Sequence, residues 1–311
     1  MQTIVTLTVN PAIDVNTSVD RVVSERKLRC TQPRREAGGG GVNVSRAIGR
    51  LGGSSTAYYL SGGPAGTLLD QLLEAEGLAC RPIPIADWTR ENLIVDDTST
   101  GEQYRFGMPG PTVQAAEWRA CLDTMTGLAP APDYIVASGS LAPGIPTDFY
   151  ARLAEIVRHN RSRLVIDTSG EALRLAFEAG AYLFKPNMRE FQDLTGRALH
   201  TEEEMTTAAR RFVDDGRCGV LVLSLGAGGA LLVTADGPTH IRTPTVPIRS
   251  KVGAGDSMVG ALTLALARGR PIEDAVRYGA AAGAAAVMTP GTELCSRTDV
   301  DRLYESMLTG P

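Results

Sequence analysis

The chain has 311 residues, 43% of them hydrophobic and 21% charged, with a formal net charge of -4. That length suffices for one large α/β domain with insertions or for two ordinary domains, while the balance of apolar and charged residues excludes a disordered chain and a broad basic surface for nucleic acid. Any anion it binds must be held locally. The five cysteines (Cys30, Cys80, Cys121, Cys218, Cys295) are far apart with no C-x-x-C, and the three histidines (His159, His200, His240) are isolated. Neither a disulfide framework nor a metal cluster is supported, so a reducing, cytoplasmic setting is expected. No signal peptide is read at the N-terminus, and the small-residue stretch 279–288 is too short to span a membrane.

In chain order, residues 3–9 predict a strand that Asn10-Pro11 ends in a turn, with Asp14 in that turn. Residues 15–37 are charged and alternate polar with apolar positions, as do residues 88–109. Both segments predict antiparallel strands, brought together as a small discontinuous lid. Short apolar runs at 134–137, 164–166, 182–184 and 220–223 each lie near a stretch of helical spacing, and helices are predicted over 255–268, 272–288 and 298–308. These alternations predict βα units and an α/β fold with a mainly parallel central sheet flanked by helices. The large domain would comprise 1–14, 38–87 and 110–311, and the lid 15–37 and 88–109.

Two glycine clusters carry candidate chemistry. Val252-Gly253-Ala254-Gly255-Asp256 precedes a predicted helix, so its small residues could present backbone N–H groups as an anion hole with Asp256 as an adjacent base. An ordinary glycine turn with a helix-start aspartate explains the same residues. A dinucleotide fingerprint is disfavoured because Met258 stands where its third glycine belongs, and no Walker A loop is present. Gly38-Gly39-Gly40-Gly41 precedes Asn43 and a helix predicted from Ser45 to Leu51. A glycine in an ordered segment costs about 0.5–1 kcal/mol relative to alanine, so either a hinge or the close approach of a ligand is required. The run Ala280 to Ala286 reads as close helix packing or as a thin wall beside an adenine ring.

Together with Ser138-Gly139-Ser140, Asp167-Thr168, Lys185-Pro186-Asn187-Met188-Arg189-Glu190 and Ser224-Leu225-Gly226, these clusters resemble the signatures of the ribokinase-like (PfkB) carbohydrate kinase family, in its order and over nearly the whole chain. Stretches 25–30, 88–93, 101–106, Met108-Pro109-Gly110, Gly291-Thr292 and Leu294-Cys295-Ser296 are most similar to the minor, ATP-dependent 6-phosphofructokinase branch. The resemblance implies that Asp256 is the catalytic base and that Gly253, Ala254 and Gly255 hold the transferring phosphoryl group. It implies sugar contacts from Asp14, Gly38, Gly39, Asn43 and Ser140, with Ser138 a weaker candidate. Lys27, Arg29, Arg90 and Arg105 become candidates for a phosphate already on the sugar, the other reading being a solvated lid face.

For ATP the resemblance implies Lys185, Asn187, Ser224, Gly226, Gly228, Gly283 and Ala286, with Glu190 acting on Mg²⁺ through water. A monovalent cation such as K⁺ would sit among Ser250, Val252, Ala286, Thr289 and Gly291. Ser250 departs from the aspartate common in the wider family, and Glu293 from an arginine of the branch. The implied activity is phosphorylation of fructose 6-phosphate at its 1-hydroxyl. Tagatose 6-phosphate, fructose 1-phosphate and a non-catalytic sensor are the alternatives. Each lid segment has a polar and an apolar face, which predicts a homodimer with Leu28, Leu93 and Val95 at its interface. No nucleic-acid or membrane partner is expected.

Overall fold

The fold follows from a computed structural model that describes residues 2–289 and 291–309. Met1, Pro290, Gly310 and Pro311, assigned above to the large domain, lie outside the described residues. Strand β1 (Ile4–Thr8) leads into β2 (Ala12–Val19) and, after a long loop, β3 (Arg34–Gly38). Then come α1 (Gly40–Arg50), β4 (Thr56–Ser61), α2 (Gly63–Ala75), β5 (Ala79–Pro84), β6 (Arg90–Asp97), β7 (Gln103–Phe106) and α3 (Ala115–Thr126). A regular alternation follows through β8 (Tyr134–Ser138), α4 (Phe149–Asn160), β9 (Arg163–Asp167), α5 (Gly170–Ala179), β10 (Ala181–Phe184), α6 (Met188–Thr195), α7 (Glu202–Asp214) and β11 (Cys218–Ser224). Hairpin β12 (Ala230–Thr234) and β13 (Gly237–Ile241) precedes α8 (Ala254–Ala267), α9 (Ile272–Val287) and α10 (Arg297–Thr309).

Nine strands form one sheet in the order β13-β12-β11-β10-β9-β8-β1-β4-β5. Pairing is parallel from β11 through to β5, and only the β12–β13 edge is antiparallel. The predicted runs become β8, β9, β10 and β11. Because successive side chains of a strand point to opposite faces, each run feeds two cores. Ile135 and Ala137 of β8 pack with Leu153 of α4, Phe177 of α5 and Phe191 of α6, whereas Tyr134 and Val136 pack with Val44 and Ile48 of α1, Leu262 of α8 and Ala281 of α9. Among the described residues, no helix is long and apolar enough to cross a membrane.

The second sheet has the order β3-β2-β6-β7. The expectation of purely antiparallel lid strands is corrected here, since β2 and β6 pair in parallel and only β2–β3 and β6–β7 are antiparallel. The cause is topological: β2 continues from β1 and β6 follows β5, and both parent strands run the same way in the large sheet. Strand β2 also starts at Ala12, so Asp14 is a strand residue and not a turn residue. Helix α1 likewise begins at Gly40, earlier than the predicted Ser45, and the first of its backbone bonds runs from Asn43 N–H to the Gly39 carbonyl.

The ring of Phe177 stacks on Phe184 at 3.7 Å between centroids, deep between α5 and β10. Phe177→Ala should lower stability by about 3–5 kcal/mol through lost burial and the residual cavity. Urea denaturation followed by circular dichroism would measure that loss.

Candidate active site

The parallel strands all end at one edge of the large sheet, and most of the chain's candidate residues are gathered there, as is general for open α/β sheets. Just beyond β10, the Lys185 side chain is only 5% exposed, with Nζ 3.1 Å from Oδ1 of Asp167 at the end of β9. A Cβ placed on Gly255 would lie 3.5 Å from the same Nζ, so the ammonium sits against the first turn of α8. Burial works to lower the Lys185 pKa, but the charge and hydrogen bond of Asp167 outweigh it and the net shift is upward. The lysine is therefore a fixed cation.

Gly253 caps α8 with φ 72°, a left-handed conformation, and a Cβ there would meet Leu294 at 2.6 Å. As at any helix start, the first N–H groups of α8, among them those of Ala254 and Gly255, have no intrahelical acceptor, and the helix dipole adds positive potential beside them. Asp256 is on that turn. Burial, and next the charge of Asp167, push its carboxyl up to about 6, against the lowering effects of the Asn43 hydrogen bond and Lys185. Asn43 Nδ2 donates to Asp256 Oδ2 at 2.9 Å.

Asp14 enters from the lid. Its carboxylate, on a residue 8% exposed, accepts from Asn92 Nδ2 at 2.9 Å and leans over the end of β3. A Cβ on Gly38 would be 2.5 Å from Asp14 Oδ2, which explains the first glycine of the cluster by close approach and not by hinge motion. Gly39, with φ 108°, turns the chain from β3 into α1. Burial raises the Asp14 pKa, with Asn92, Arg90 and Arg46 opposing. Across the ladder, Gly38, Ala12 and Arg90 share one row and Glu36, Asp14 and Asn92 the next, so these residues present one polar face.

Arg90 donates to the carbonyls of Asn10, Pro11 and Met108 at 3.1, 3.4 and 3.0 Å. Three of the five guanidinium N–H groups are thus engaged, which fixes the plane and leaves two for a ligand. Arg105 pairs with Ile94, which pairs with Asn16, placing it on the same face as Asp14 but farther out and exposed. Lys27 and Arg29 are exposed in the loop between β2 and β3, which leaves from the outer end of the lid. Among the described residues neither bonds to a site residue, so one chain does not bring them to Asp14. Ser140 accepts from Asn10 Nδ2 at 3.2 Å and remains exposed, whereas the Ser138 hydroxyl is buried and turned toward Asp167 Oδ2 at 3.4 Å.

On the other side of Lys185, Asn187 and Glu190 form a reciprocal capping box at the start of α6. Glu190 N–H donates to Asn187 Oδ1 at 3.0 Å and Asn187 N–H to Glu190 Oε2 at 2.8 Å. Burial raises the Glu190 pKa, and Oε2 alone is committed to the cap. Ser224 at the end of β11 bridges to Asn187, and Gly226 and Gly228 lie exposed in the turn that follows. A Cβ on Gly283 would be 3.3 Å from the Ala254 carbonyl, so α9 does border the first turn of α8 there, while Ala286 is buried. Ser250 Oγ donates to the Gly291 carbonyl at 2.6 Å and accepts from Val252 N–H at 3.2 Å, and Thr289 Oγ1 donates to the Ala286 carbonyl at 2.7 Å.

Sequence reasoning singled out neither Asp167 nor Asn92 as a site residue, nor Asn10. Asp167 did stand in a quoted segment at a strand end, but its partner Lys185 is 18 positions away and only the parallel sheet brings the two together. What the assembled cleft can do is hold a polyanion beside α8 and Lys185, with a hydroxyl poised between Asp14, Asn43 and Asp256.

Comparison with known proteins agrees with that geometry. Residues 6–299 match the pfkB family carbohydrate kinase model. The chain is 46% identical over 302 residues to ATP-dependent 6-phosphofructokinase isozyme 2 of Mycobacterium tuberculosis (strain ATCC 25618 / H37Rv), covering 97% of this chain and 89% of that one. With the isozyme 2 protein of Escherichia coli (strain K12) it shares 41% identity over 305 residues, 98% of each chain. Solved structures of phosphofructokinase-2 from Escherichia coli superpose on it, the potassium complex with TM-score 0.95 at 40% identity (99% of this chain, 100% of that one) and the fructose-6-phosphate complex with TM-score 0.93 at 40% identity (98% and 99%). The chain belongs to the pfkB family of carbohydrate kinases.

Proposed function

We propose that the chain transfers the γ-phosphoryl group of ATP to the 1-hydroxyl of fructose 6-phosphate, giving fructose 1,6-bisphosphate and ADP. The observation that carries this reading is the placement of half-buried Asp256 within the first turn of α8, between Lys185 on one side and the Asp14–Arg90 face of the lid on the other. Relatives that share 41–46% of their residues with the chain are named for that activity. As O1 attacks phosphorus, Asp256 accepts its proton, the bond from phosphorus to the β-phosphate oxygen breaks, and ADP leaves. The N–H groups at Gly253, Ala254 and Gly255 receive the equatorial oxygens, and Lys185 balances the charge. Asp14 and Asn43 orient the sugar hydroxyls, Ser140 adds a contact, and the free donors of Arg90, with Arg105, take the 6-phosphate.

ATP would lie across Asn187, Ser224, Gly226 and Gly228 with its base toward Gly283 and Ala286. The residues fit Mg²⁺, since Glu190 at the start of α6 commits only Oε2 to the cap and keeps its other carboxylate oxygen for an ion or its water. That pattern suits an ion held by phosphate oxygens, water and one carboxylate. When bound, Mg²⁺ neutralises charge on the β- and γ-phosphates. The carbonyl and hydroxyl oxygens at Ser250, Val252, Ala286, Thr289 and Gly291 are neutral hard donors suited to K⁺, and the buried Asn16 Oδ1 beside Gly291 has no hydrogen-bond partner among the described residues.

The lid's second face supports a homodimer. Val15, Leu93 and Phe106 form one cross-strand row, with Phe106 48% exposed and Leu93 and Leu28 half-buried, whereas Val95, expected at the interface, is only 8% exposed because the sheet and its surroundings already cover it, and it offers a partner little surface. Light scattering at micromolar concentration should give twice the chain mass or an even multiple of it. A monomer would refute the lid-to-lid interface.

Purified protein with Mg²⁺ should produce ADP only when a phosphosugar is supplied, fastest with fructose 6-phosphate, then tagatose 6-phosphate, with fructose and fructose 1-phosphate well behind. No ADP with any sugar would favour a sensor, and equal turnover of free fructose would refute the phosphosugar reading. Arg90→Ala or Arg105→Ala should lower kcat/KM for the sugar by about 10–150-fold, mostly through KM, with KM for ATP little changed. Asp256→Asn should leave binding largely intact and lower kcat by roughly 10²–10⁴-fold. Because the base acts when deprotonated and burial raises its pKa to about 6, wild-type kcat/KM should fall as pH drops through that value.

A further inference from the structure

Asn43 and Arg46 lie one turn apart on α1, facing the same way. Arg46 is 2% exposed, an expensive place for a guanidinium unless every charge and donor is answered. Its Nε stands 2.9 Å from both carboxylate oxygens of Glu76, the residue that ends α2, and Nη2 is 2.7 Å from Glu76 Oε1. The remaining nitrogen, Nη1, turns toward the active site. It donates to the Ala37 carbonyl at 2.6 Å and to Oδ1 of Asn43 at 3.3 Å.

The last contact decides which end of the Asn43 amide faces Asp256. An amide offers an acceptor at one end and two donors at the other, and rotating it by half a turn exchanges them with little change of shape. With Oδ1 engaged by Arg46, Nδ2 points at Asp256 and donates at 2.9 Å. Rotated, the amide would set oxygen against a carboxylate oxygen. The Ala37 contact meanwhile holds the end of β3 immediately before Gly38, the glycine pressed on Asp14.

We propose that Arg46 is a positioning residue for the transfer, fixing the Asn43 amide so that it donates to Asp256 and fixing the strand that leads into the glycine cluster. The relay runs from Glu76 through Arg46 and Asn43 to the base, and it rests on the reading of Asp256 as that base. The charged groups facing Asp256 are Asp167 from β9, Lys185 from beyond β10 and Asp14 from β2. Arg46 also acts on Asp14. Losing the Asn43 bond removes an influence that lowers the Asp256 pKa, so the acid limb of the rate profile moves to higher pH.

The test is the pH dependence of kcat/KM and kcat in wild type, Arg46→Met, Asn43→Ala, the double variant, Glu76→Gln and Asp256→Asn, with folding followed by circular dichroism. Arg46→Met and Asn43→Ala should each raise the acid limb by about one pH unit, the scale of one hydrogen bond to a charged group. The double variant should move it no further, because both changes break one path. Glu76→Gln, at a partly exposed position, should give a smaller shift of the same sign. An unmoved limb in folded Arg46→Met overturns the proposal, as do additive shifts, which would mean that Arg46 acts on Asp14 and not through Asn43. If Arg46→Met does not fold, an unmoved limb in Glu76→Gln overturns it. Asp256→Asn with near-normal turnover refutes the base reading and this proposal together, whereas a dead Asp256→Asn beside an unmoved Arg46→Met limb refutes this proposal alone.

Discussion

Asp256 and Asp167 bring two half-buried carboxylates close together, with the ammonium of Lys185 3.1 Å from Asp167 as their shared cation. Without that cation the two acids would have only the hydrogen bonds from Asn43 and Ser138 to set against lost hydration and their mutual repulsion. With it, Asp167 serves mainly to hold Lys185, and Asp256 is left under-compensated, with an elevated pKa suited to taking a proton near neutral pH. The N-terminus of α8 adds positive potential at the same point. One arrangement of charges therefore accounts for the position of the helix, the lysine and the candidate base.

The large sheet makes that arrangement possible. Parallel strands ending at one edge place Asp167 at the end of β9, Lys185 just beyond β10 and Ser224 at the end of β11, each offset by one strand spacing. Helix α8 is buried from Ser257 to Ala267 between α1 and α9, so its first turn cannot shift without disturbing the core. Rigid support is what a site needs when its function is to keep charges apart and aligned.

The lid divides its work between two faces. Its inner face carries Asp14, Asn92 and Arg90, tied by hydrogen bonds to one another or to the ends of nearby strands, while its other face carries Val15, Leu93 and Phe106. Strand geometry enforces the division, since alternate residues cannot share a face.

Much of this was legible in the sequence. Apolar runs marked β8 to β11 because fully buried parallel strands need side chains for two cores, and Gly253 to Asp256 marked a glycine turn into a helix, a pattern that by itself left an anion hole and an ordinary helix start equally open. Composition and local pattern also separated the lid from the α/β body. Register and topology were not legible. The parallel pairing of β2 with β6 depends on the direction of β1 and β5, the early start of α1 on packing against β1, and the roles of Asp167, Asn92 and Arg46 on partners far away in the chain. Local sequence determines which backbone shapes are affordable and which side chains must be buried. Which charges meet is decided only when the sheet closes, because the energy of a buried ion pair belongs to two residues and neither one carries it alone.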